Sequence, residues 1–274
     1  MNPEGKNARH YWEERLSSDF SLAKAGDRRL GLAYNWWLYR ARRRALDRSL
    51  KALALDVRGK RVLDLGSGTG FYVDYWLGKG AGAVTGVDIT EVSVRNLQQR
   101  FPKAQFVRAD IASEAVGALG SFEIISAFDV FFHIVDEGAF RRSWSNVARC
   151  AEKGTFVLIT DSMTSEDMPL SPQEYHRSYT HYRAVAESVG LQVIHLAPVF
   201  YTMLNPVDVK EANPLVRSLW WFTFRALRAS RRLHLNSFFG HLLGMTLYVL
   251  DGLLLRLFRS GPTTKLVALQ RGPP

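Results

Sequence analysis

A glycine-rich stretch flanked by two acids contains the residue types best suited to bind a small charged ligand. The segment "VLDLGSGTGFY" follows the first predicted strand and opens a helix, with Gly66, Gly68 and Gly70 in a G-x-G-x-G turn. Glycines at such a turn permit positive φ and let a ligand approach the backbone closely. Asp64 stands two residues before the first glycine, where its carboxylate could hold a cation or fix the loop through backbone N–H groups.

The second acid narrows the choice of ligand. Asp88 lies in "VTGVDIT", 22 residues after Gly66, where a carboxylate can accept hydrogen bonds from both hydroxyls of a ribose. The turn lacks the G-x-G-x-x-G spacing of dinucleotide-binding turns, and Asp64 would repel a pyrophosphate. The pattern therefore indicates a ligand with a ribose and a positive charge but no phosphate, which fits S-adenosylmethionine.

Alternating strand and helix patterns place this turn in an α/β fold. The β-rich runs are "RVLDL", "GAVTGV", "AQFVRA", "FEIISAF" and "GTFVLIT", with helix-like segments between them. Such alternation favours right-handed βαβ units and a parallel sheet covered by helices on both faces. We further expect a helix near 172–189, a sixth strand at "LQVIHLAPVF" and a seventh strand at 264–270.

Four motifs resemble those of class I S-adenosylmethionine-dependent methyltransferases of the small-molecule type. They are "VLDLGSGTG", "VTGVDIT", "FVRADI" and "FEIISAFDVFFHI". The resemblance implies a doubly wound, seven-stranded, mostly parallel sheet of the Rossmann-like methyltransferase type, with strand order 3-2-1-4-5-7-6. The expected organisation is an N-terminal helical segment at 1–55, a core at 56–201 plus 262–274, and a helical cap at 202–261 inserted between strands 6 and 7.

The same resemblance implies how the cofactor is bound. Asp64 and the backbone from Gly66 through Ser67 to Gly68 would hold the methionine part, and Asp88 would bind the ribose. Tyr11 and Arg15 belong to a segment that closes over the cofactor in related enzymes, with simple packing as the alternative. The remaining cofactor-binding residues that the resemblance implies are Ile89, Asp110, Ile111 and Phe128.

The chemistry expected of this fold is an in-line methyl transfer, for which an oxygen nucleophile usually also needs a base. Ligands of such sheets bind beyond the carboxyl ends of the strands, where "FDVFFHIVDE" and Asp161 are expected. We expect His133 to be the general base, oriented by Asp161, because the unperturbed pKa of histidine is near neutrality. Support of the following helix is the alternative role for His133, and His176 and His181 compete for the role of base.

The residues around these histidines indicate a small, largely apolar acceptor. Phe131 and Phe132 would line its pocket, and Tyr175 and Tyr179 would orient it. The stretch "DVFF" lacks the two prolines usual in methyltransferases that act on amino groups of nucleic-acid bases, which disfavours nucleic acid as substrate. No catalytic metal is expected, because Ser162 stands where metal-dependent relatives carry an asparagine.

Charge and hydropathy suggest further partners. The net charge of +10 favours acidic partners such as nucleic acid, anionic lipid or an anionic small molecule, although it could serve solubility alone. On a helical wheel the arginines of 217–232 share a sector with Trp221 and Phe224, which suits an anionic membrane surface. We favour a cap over the strand ends instead, and expect the apolar second half of this insertion to be buried.

The remaining features favour a cytoplasmic protein. Cys150 is the only cysteine, which excludes a disulfide framework. The N-terminus has no apolar core typical of a signal peptide, and the apolar stretch 238–258 contains His241, Asp251 and Arg256, which disfavours a membrane span. We therefore expect an S-adenosylmethionine-dependent methyltransferase that acts at oxygen on a small, largely apolar acceptor of the natural-product or secondary-metabolite type. A lipid or isoprenoid methyltransferase at the membrane face and a non-catalytic cofactor-binding protein are the alternatives.

Overall fold

The computed structural model describes residues 8–208, 213–258 and 260–272. The chain divides into two compact units. The sheet unit comprises Met1–Phe20, Leu55–Leu196 and Val267–Pro274, and the helical unit comprises Ser21–Ala54 and Ala197–Leu266. Parts of the predicted N-terminal segment and cap, namely 1–7, 209–212 and 259, lie outside the described residues.

The main sheet has seven strands in the order β3-β2-β1-β4-β5-β9-β8. Since β8 and β9 are its sixth and seventh strands along the chain, the predicted order 3-2-1-4-5-7-6 is confirmed. Strands β1 to β5 pair in parallel wherever they are neighbours. The strands are β1 Arg61–Leu65, β2 Ala83–Asp88, β3 Gln105–Arg108, β4 Phe122–Phe128, β5 Ala151–Asp161, β6 Met168–Ser171, β7 Glu174–His176, β8 Leu191–Pro198 and β9 Lys265–Arg271, of which β6 and β7 form a separate hairpin.

The helices of both units follow from local sequence signals. They are α1 Ala8–Ser17, α2 Leu22–Ala25, α3 Gly31–Ala52, α4 Phe71–Gly78, α5 Glu91–Arg100, α6 Glu114–Gly117, α7 Glu137–Arg149, α8 Tyr179–Ser188, α9 Pro214–Arg232 and α10 Asn236–Leu257, with 3-10 turns at Arg28–Leu30 and Phe131–His133. Thr90 and Asp136 cap α5 and α7 by accepting from backbone amides of the first turn, which is the usual role of these residue types.

The helix predicted near 172–189 begins later than expected. Residues Met168–His176 form the β6–β7 hairpin instead, and α8 starts at Tyr179. The reason is local, because the hydroxyl of Ser178 accepts a hydrogen bond from the amide of His181 and so defines the N-cap.

The division into units differs from the one expected from the sequence. Within the predicted segment 1–55, residues 8–20 belong to the sheet unit, whereas residues 21–54 group with 197–266. Close packing of α3 on α10 explains the grouping. A Cβ at Gly240 would lie 2.8 Å from Cβ of Ala33, and one at Gly244 would lie 2.4 Å from Cδ1 of Trp37. Glycine at these positions lets the two helices approach closely.

Candidate active site

The glycine turn joins β1 to α4 in a conformation that needs glycine. Gly66, Gly68 and Gly70 have φ of +74°, +51° and +81°. The amides of Gly66 and Ser67 donate to the carbonyl of Val87 at 2.7 and 3.0 Å, which ties the turn to β2. A Cβ added at Gly68 would meet only the carbonyl oxygen of Gly66, at 3.9 Å, so the space in front of Gly68 is open. The turn therefore offers a ligand close access to its backbone.

Asp64 is a buried carboxylate with one oxygen free. It is 2% exposed, and its Oδ1 accepts from the hydroxyl of Ser126 at 2.7 Å. Its Oδ2 has no hydrogen-bond partner within the described part of the chain. Burial raises the pKa of Asp64 to about 7. A cationic group would satisfy the free oxygen and offset the cost of burying its charge, so the role as a cation holder is favoured over fixing the loop.

Asp88 shapes the turn as well as facing the ligand region. Its Oδ2 accepts from the amide of Gly68 at 2.8 Å, and its Oδ1 accepts from the amide and hydroxyl of Thr90 at 2.9 and 2.7 Å. Burial raises its pKa. Because each carboxylate oxygen can accept more than one hydrogen bond, Asp88 retains acceptor capacity for a hydroxyl while it fixes Gly68.

The other residues expected around the cofactor have diverse surroundings. Asp110 is exposed, and its Oδ1 accepts from the amide of Ala112 at 2.8 Å. Ile89 is partly exposed, whereas Ile111 is buried in the core on one side of the sheet. Phe128 is also buried, with its ring centroid 4.2 Å from that of Tyr72. Ile111 is thus mainly a core residue, while the second carboxylate oxygen of Asp110 has no hydrogen bond to any residue that the structure describes.

The chain after β4 passes directly beside the glycine turn. A Cβ at Gly66 would lie 2.5 Å from Cγ2 of Val130, so the two segments are in close contact. Asp129 has a positive φ of +58°, a conformation that is uncommon outside glycine. Its amide donates to the carbonyl of Thr160 at 3.0 Å, and its Oδ1 accepts from the Thr160 hydroxyl at 3.0 Å. These hydrogen bonds to β5 stabilise the strained conformation of Asp129 and fix the direction of the segment that follows it.

Phe131 does not line a pocket as expected from the sequence. It is 1% exposed, and its ring stacks on Trp144 with centroids 4.9 Å apart. The 3-10 turn at Phe131–His133 directs its three side chains differently, and Phe131 takes the core position. Phe132 remains partly exposed and contacts the rings of His133 and His176, with centroids 4.1 and 5.2 Å away.

His133 is held in one tautomer within an aromatic surrounding. Its Nδ1 lies 3.1 Å from the carbonyl oxygen of Gln173. Because a carbonyl only accepts, Nδ1 carries the proton and Nε2 keeps a lone pair. The ring meets Trp12 edge-on at 4.9 Å. Burial lowers the pKa of His133 to about 4, so the imidazole is neutral at physiological pH.

Among the described residues, His133 and Asp161 are not hydrogen-bonded to each other, contrary to the expectation from the sequence. Asp161 accepts instead from the amide and hydroxyl of Ser162, at 2.6 and 3.1 Å, and from the hydroxyl of Tyr182. Ser162 in turn bonds to Nδ1 of His176. Burial raises the pKa of Asp161 to about 7 and lowers that of His176 to about 4. Asp161 therefore belongs to a chain of bonds that leads to His176.

His176 is the second histidine suited to proton transfer. It is buried, and its Nε2 has no hydrogen-bond partner among the described residues. If the Ser162 hydroxyl donates to Asp161, it must accept from Nδ1–H of His176, and Nε2 then holds a lone pair. Sequence reasoning included His176 but missed the linking role of Ser162 and Tyr182. In the sequence, only their positions could have indicated this role: Ser162 directly follows β5, and Tyr182 lies in the first turn of α8.

Both ring nitrogens of His181 are bonded to carboxylates, which indicates a structural role. Its Nε2 bonds to Glu137 at 3.1 Å and its Nδ1 bonds to Asp167. Since carboxylates contact both ring nitrogens, neither offers a lone pair to an acceptor in this arrangement, which disfavours His181 as the base. Tyr179 is partly buried and packs against the core. The guanidinium of Arg177 lies 4.8 Å from the centroid of the Tyr175 ring.

Helix α1 lies within the sheet unit beside these residues. The carboxylate of Glu13 accepts from the amides of Glu91 and Val92, at 2.7 and 3.0 Å, at the start of α5. Arg15 lies over the ring of Trp12 at 4.6 Å and donates to the hydroxyl of Tyr11 at 3.0 Å. Helix α1 thus contacts the candidate site through Trp12, whose ring meets that of His133. The roles of Tyr11 and Arg15 toward a cofactor stay predictions.

Comparison with known proteins agrees with this geometry. A family model described as a methyltransferase domain matches residues 62–154. The ubiquinone biosynthesis O-methyltransferase of Neisseria meningitidis serogroup C is 31% identical over 101 residues, which are 34% of this chain and 42% of that protein. The tRNA U34 carboxymethyltransferase of Pseudomonas fluorescens is 37% identical over 87 residues, which are 29% of this chain and 26% of that protein.

A solved structure extends the likeness of fold to the whole chain. The DhpI–SAH complex covers 100% of both chains with a TM-score of 0.57 and 15% sequence identity. The strand order, the glycine turn and its two carboxylates define a Rossmann-like methyltransferase domain. Residues 62–154 match a methyltransferase domain, and this match together with the methyltransferase relatives supports a class I S-adenosylmethionine-dependent enzyme with S-adenosylmethionine as cofactor. The matched part spans only a fraction of the curated relatives, 42% and 53% of two ubiquinone biosynthesis O-methyltransferases and 26% of the tRNA U34 carboxymethyltransferase of Pseudomonas fluorescens.

Proposed function

We propose that the chain transfers a methyl group from S-adenosylmethionine to an oxygen atom of a small, largely apolar acceptor. The observation that carries the proposal is His133, a neutral histidine with a fixed tautomer on the segment that packs against the glycine turn. Relatives named for O-methylation in ubiquinone biosynthesis support oxygen as the methylated atom. We infer a phenolic hydroxyl as the acceptor group.

The residues present fit the cofactor. The free Oδ2 of Asp64 suits the ammonium of its methionine part, and the open space at Gly68 suits close approach of the ligand to the backbone. Asp88 can accept from ribose hydroxyls with the capacity that Gly68 and Thr90 leave. When bound, the cofactor supplies a sulfonium methyl group that is ready for displacement.

His133 would accept the proton of the acceptor hydroxyl through Nε2. The hydrogen bond from Nδ1–H to the carbonyl of Gln173 orients the ring and would stabilise the imidazolium that forms. Its lowered pKa makes it a weak base in the free protein. The negative charge that develops on the acceptor oxygen would raise the basicity of the ring at the moment of transfer, because an adjacent opposite charge favours the protonated form.

The surroundings of His133 favour a flat, apolar acceptor. Trp12 and Phe132 contact its ring from two directions. Aromatic faces of this kind bind planar rings through stacked and edge-to-face contacts. A substituted phenol or catechol has both the ring and the hydroxyl that this set of residues would recognise.

An acceptor panel tests the proposal. Purified protein is incubated with methyl-labelled cofactor and simple catechols, prenylated phenols or transfer RNA, and labelled product is measured. We expect transfer to phenols and none to RNA. In the His133→Ala variant, kcat should fall about 100-fold or more, as is typical for loss of a general base, with the Kd for cofactor unchanged.

His181→Ala serves as the matched control. It removes a histidine bonded to Glu137 and Asp167, so it should lower thermal stability but leave kcat near that of the original protein. Cofactor binding without transfer to any acceptor would instead support a non-catalytic protein. Transfer to RNA alone, or an undiminished kcat in His133→Ala, would contradict the proposal.

A further inference from the structure

Helix α10 has one apolar face that no described residue of the helical unit covers. Its buried residues Gly240, Gly244, Leu247 and Asp251 lie along one side. The opposite side is a row of large apolar side chains with Phe238 64% and Leu253 54% exposed. The full row consists of Phe238, Leu242, Met245, Val249, Leu253 and Leu257. The expectation that this stretch is buried is therefore wrong for its outer face.

Helix α9 has an exposed face of a different kind. Its buried side is formed by Val216, Trp220, Thr223, Leu227 and Ser230. At 100° per residue, the opposite side holds Trp221 and Phe222, which are exposed, among four exposed arginines. These are Arg217, Arg225, Arg228 and Arg232. The guanidinium of Arg225 lies 4.5 Å from the centroid of the Trp221 ring.

The turn between the helices connects the two faces. Leu233 and Leu235 are exposed there, immediately before Phe238. The exposed apolar surface therefore continues from α9 through the turn onto α10. Exposed apolar patches larger than a few hundred Å² mark interaction sites in most soluble proteins.

The charges of this surface all have one sign. Residues 213–258 contain six arginines and a single carboxylate, Asp251. Asp251 is fully buried and accepts from the amides of Tyr201 and Thr202, at 2.9 and 2.7 Å. The outer surface of α9 and α10 is thus cationic and aromatic on α9 and apolar on α10, with no exposed acid.

We propose that the outer faces of α9 and α10 dock on an anionic phospholipid bilayer. The arginines of α9 would bind lipid phosphates, Trp221 would lie at the headgroup level, and the apolar row of α10 would enter the acyl boundary. Aromatic rings and arginines are typical of the membrane–water interface, and apolar side chains are typical of the acyl layer below it. This inference does not depend on the proposed acceptor.

Two other occupants fit the surface less well. Helix α10 is long and apolar enough to cross a membrane by length and composition, but its glycine face is packed on α3 and its Asp251 holds the segment Tyr201–Thr202. A span would expose that carboxylate to lipid, which is costly. A second copy of the chain would bring the arginine faces together, which like charges oppose.

Vesicle sedimentation with the full chain tests the proposal. Vesicles of phosphatidylcholine alone are compared with vesicles that contain 30% phosphatidylglycerol, a composition of about one anionic lipid in three. We expect binding to the anionic vesicles, release by high salt, and weak binding to the neutral ones. The fluorescence of Trp221 should be quenched by brominated lipid, and Trp221→Phe should lose that part of the quenching.

Charge-matched variants identify the surface. Arg225→Glu with Arg228→Glu should lower the partition coefficient about tenfold or more, since each basic residue near an anionic surface contributes appreciably. The control, Arg95→Glu with Lys103→Glu, makes the same charge change at exposed positions of the sheet unit and should bind vesicles normally. Leu242→Ser with Val249→Ser should weaken binding without changing the salt dependence.

Three outcomes would overturn the proposal. One is equal loss of binding in the control and the α9 variants, which would mean that net charge alone is responsible. Another is resistance of the bound protein to alkaline extraction, which indicates a span. The third is that the original protein forms a stable dimer in analytical ultracentrifugation and does not bind vesicles, and that the Leu242→Ser, Val249→Ser variant is a monomer.

Discussion

At the scale of single residues, Asp64 links cofactor binding to stability. Its pKa is about 7 in the folded chain because of burial, against an ordinary value of 3.8. Between these two pH values the folded state binds more protons than the unfolded state, so the free energy of unfolding falls as pH rises from about 4 to about 7. A residue that binds the cofactor when charged thus destabilises the cofactor-free protein.

We predict that Asp64→Asn has opposite effects on binding and stability. At pH 8 it should raise the melting temperature of the cofactor-free protein by a few degrees, at roughly 2–4 °C per kcal/mol, because it removes a buried charge. It should weaken S-adenosylmethionine binding about tenfold or more, measured by titration calorimetry. In the original protein alone, affinity should rise with pH through about 7, as Asp64 ionises.

The exposed Asp74 provides a control with the same change of charge. Asp74→Asn should alter neither the pH dependence of binding nor the affinity. Undiminished affinity of Asp64→Asn at pH 8 would mean that the Asp64 carboxylate does not contact the cationic part of the cofactor.

At the scale of elements, the β1–α4 turn separates two reasons for glycine. Gly70 has close neighbours, because a Cβ there would lie 2.5 Å from Cδ2 of Leu97 and 2.8 Å from Cε2 of Phe101. Gly68 has open space and a positive φ. Glycine at position 70, whose φ is +81°, therefore serves both backbone conformation and packing. Glycine at position 68 serves backbone conformation and, on the proposal above, access for the ligand.

We predict that Gly68→Ala abolishes cofactor binding at a modest cost in stability. Left-handed backbone costs a non-glycine residue about 1–2 kcal/mol, and the new methyl group would occupy the ligand's space. Gly59→Ala is the matched control, because Gly59 also has positive φ and nothing within 4 Å of its added Cβ. Both variants should lose similar stability in thermal unfolding, but Gly59→Ala should bind cofactor normally. Normal binding by Gly68→Ala would place the ligand elsewhere.

At the scale of the whole molecule, the buried acid Asp251 connects parts of the helical unit. Asp251 joins α10 to the segment after β8, through Tyr201 and Thr202. Burial raises its pKa, and three donors converge on its two oxygens. This makes Asp251 essential to packing rather than an obstacle to it.

We predict that Asp251→Asn destabilises the helical unit by roughly 1–3 kcal/mol, because the amide group would face backbone donors and leave one unsatisfied. Hydrogen exchange should accelerate in peptides from 197–208 and α10 and remain unchanged in 55–196. Glu114→Gln, at an exposed position of the sheet unit, should change neither. Uniform acceleration in both units would show that they unfold as one.

Much of the fold followed from local sequence signals. The alternating apolar runs, the glycine turn and the spacing from Gly66 to Asp88 led to the α/β sheet and the cofactor, because backbone conformation and buried strands restrict residue type locally. The strand order followed from the resemblance of the motifs to a known family. The roles of Phe131, Asp161 and His181 did not follow, because each depends on partners distant in sequence. Phe131 meets Trp144, Asp161 meets Tyr182, and His181 meets Glu137.

The outer face of α10 shows most clearly the difference between what local sequence patterns predict and what distant contacts decide. Its composition alone indicates a helix that avoids water, and the sequence could not decide between a buried cap and a lipid contact. Only the packing of α3 on the glycine side determines which apolar residues remain exposed. The sequence by itself determined the methyltransferase sheet and its cofactor turn, because these depend on short-range pattern. The tertiary structure decided which histidine keeps a free nitrogen and which apolar face stays uncovered, because burial and hydrogen bonding depend on neighbours that are far apart along the chain.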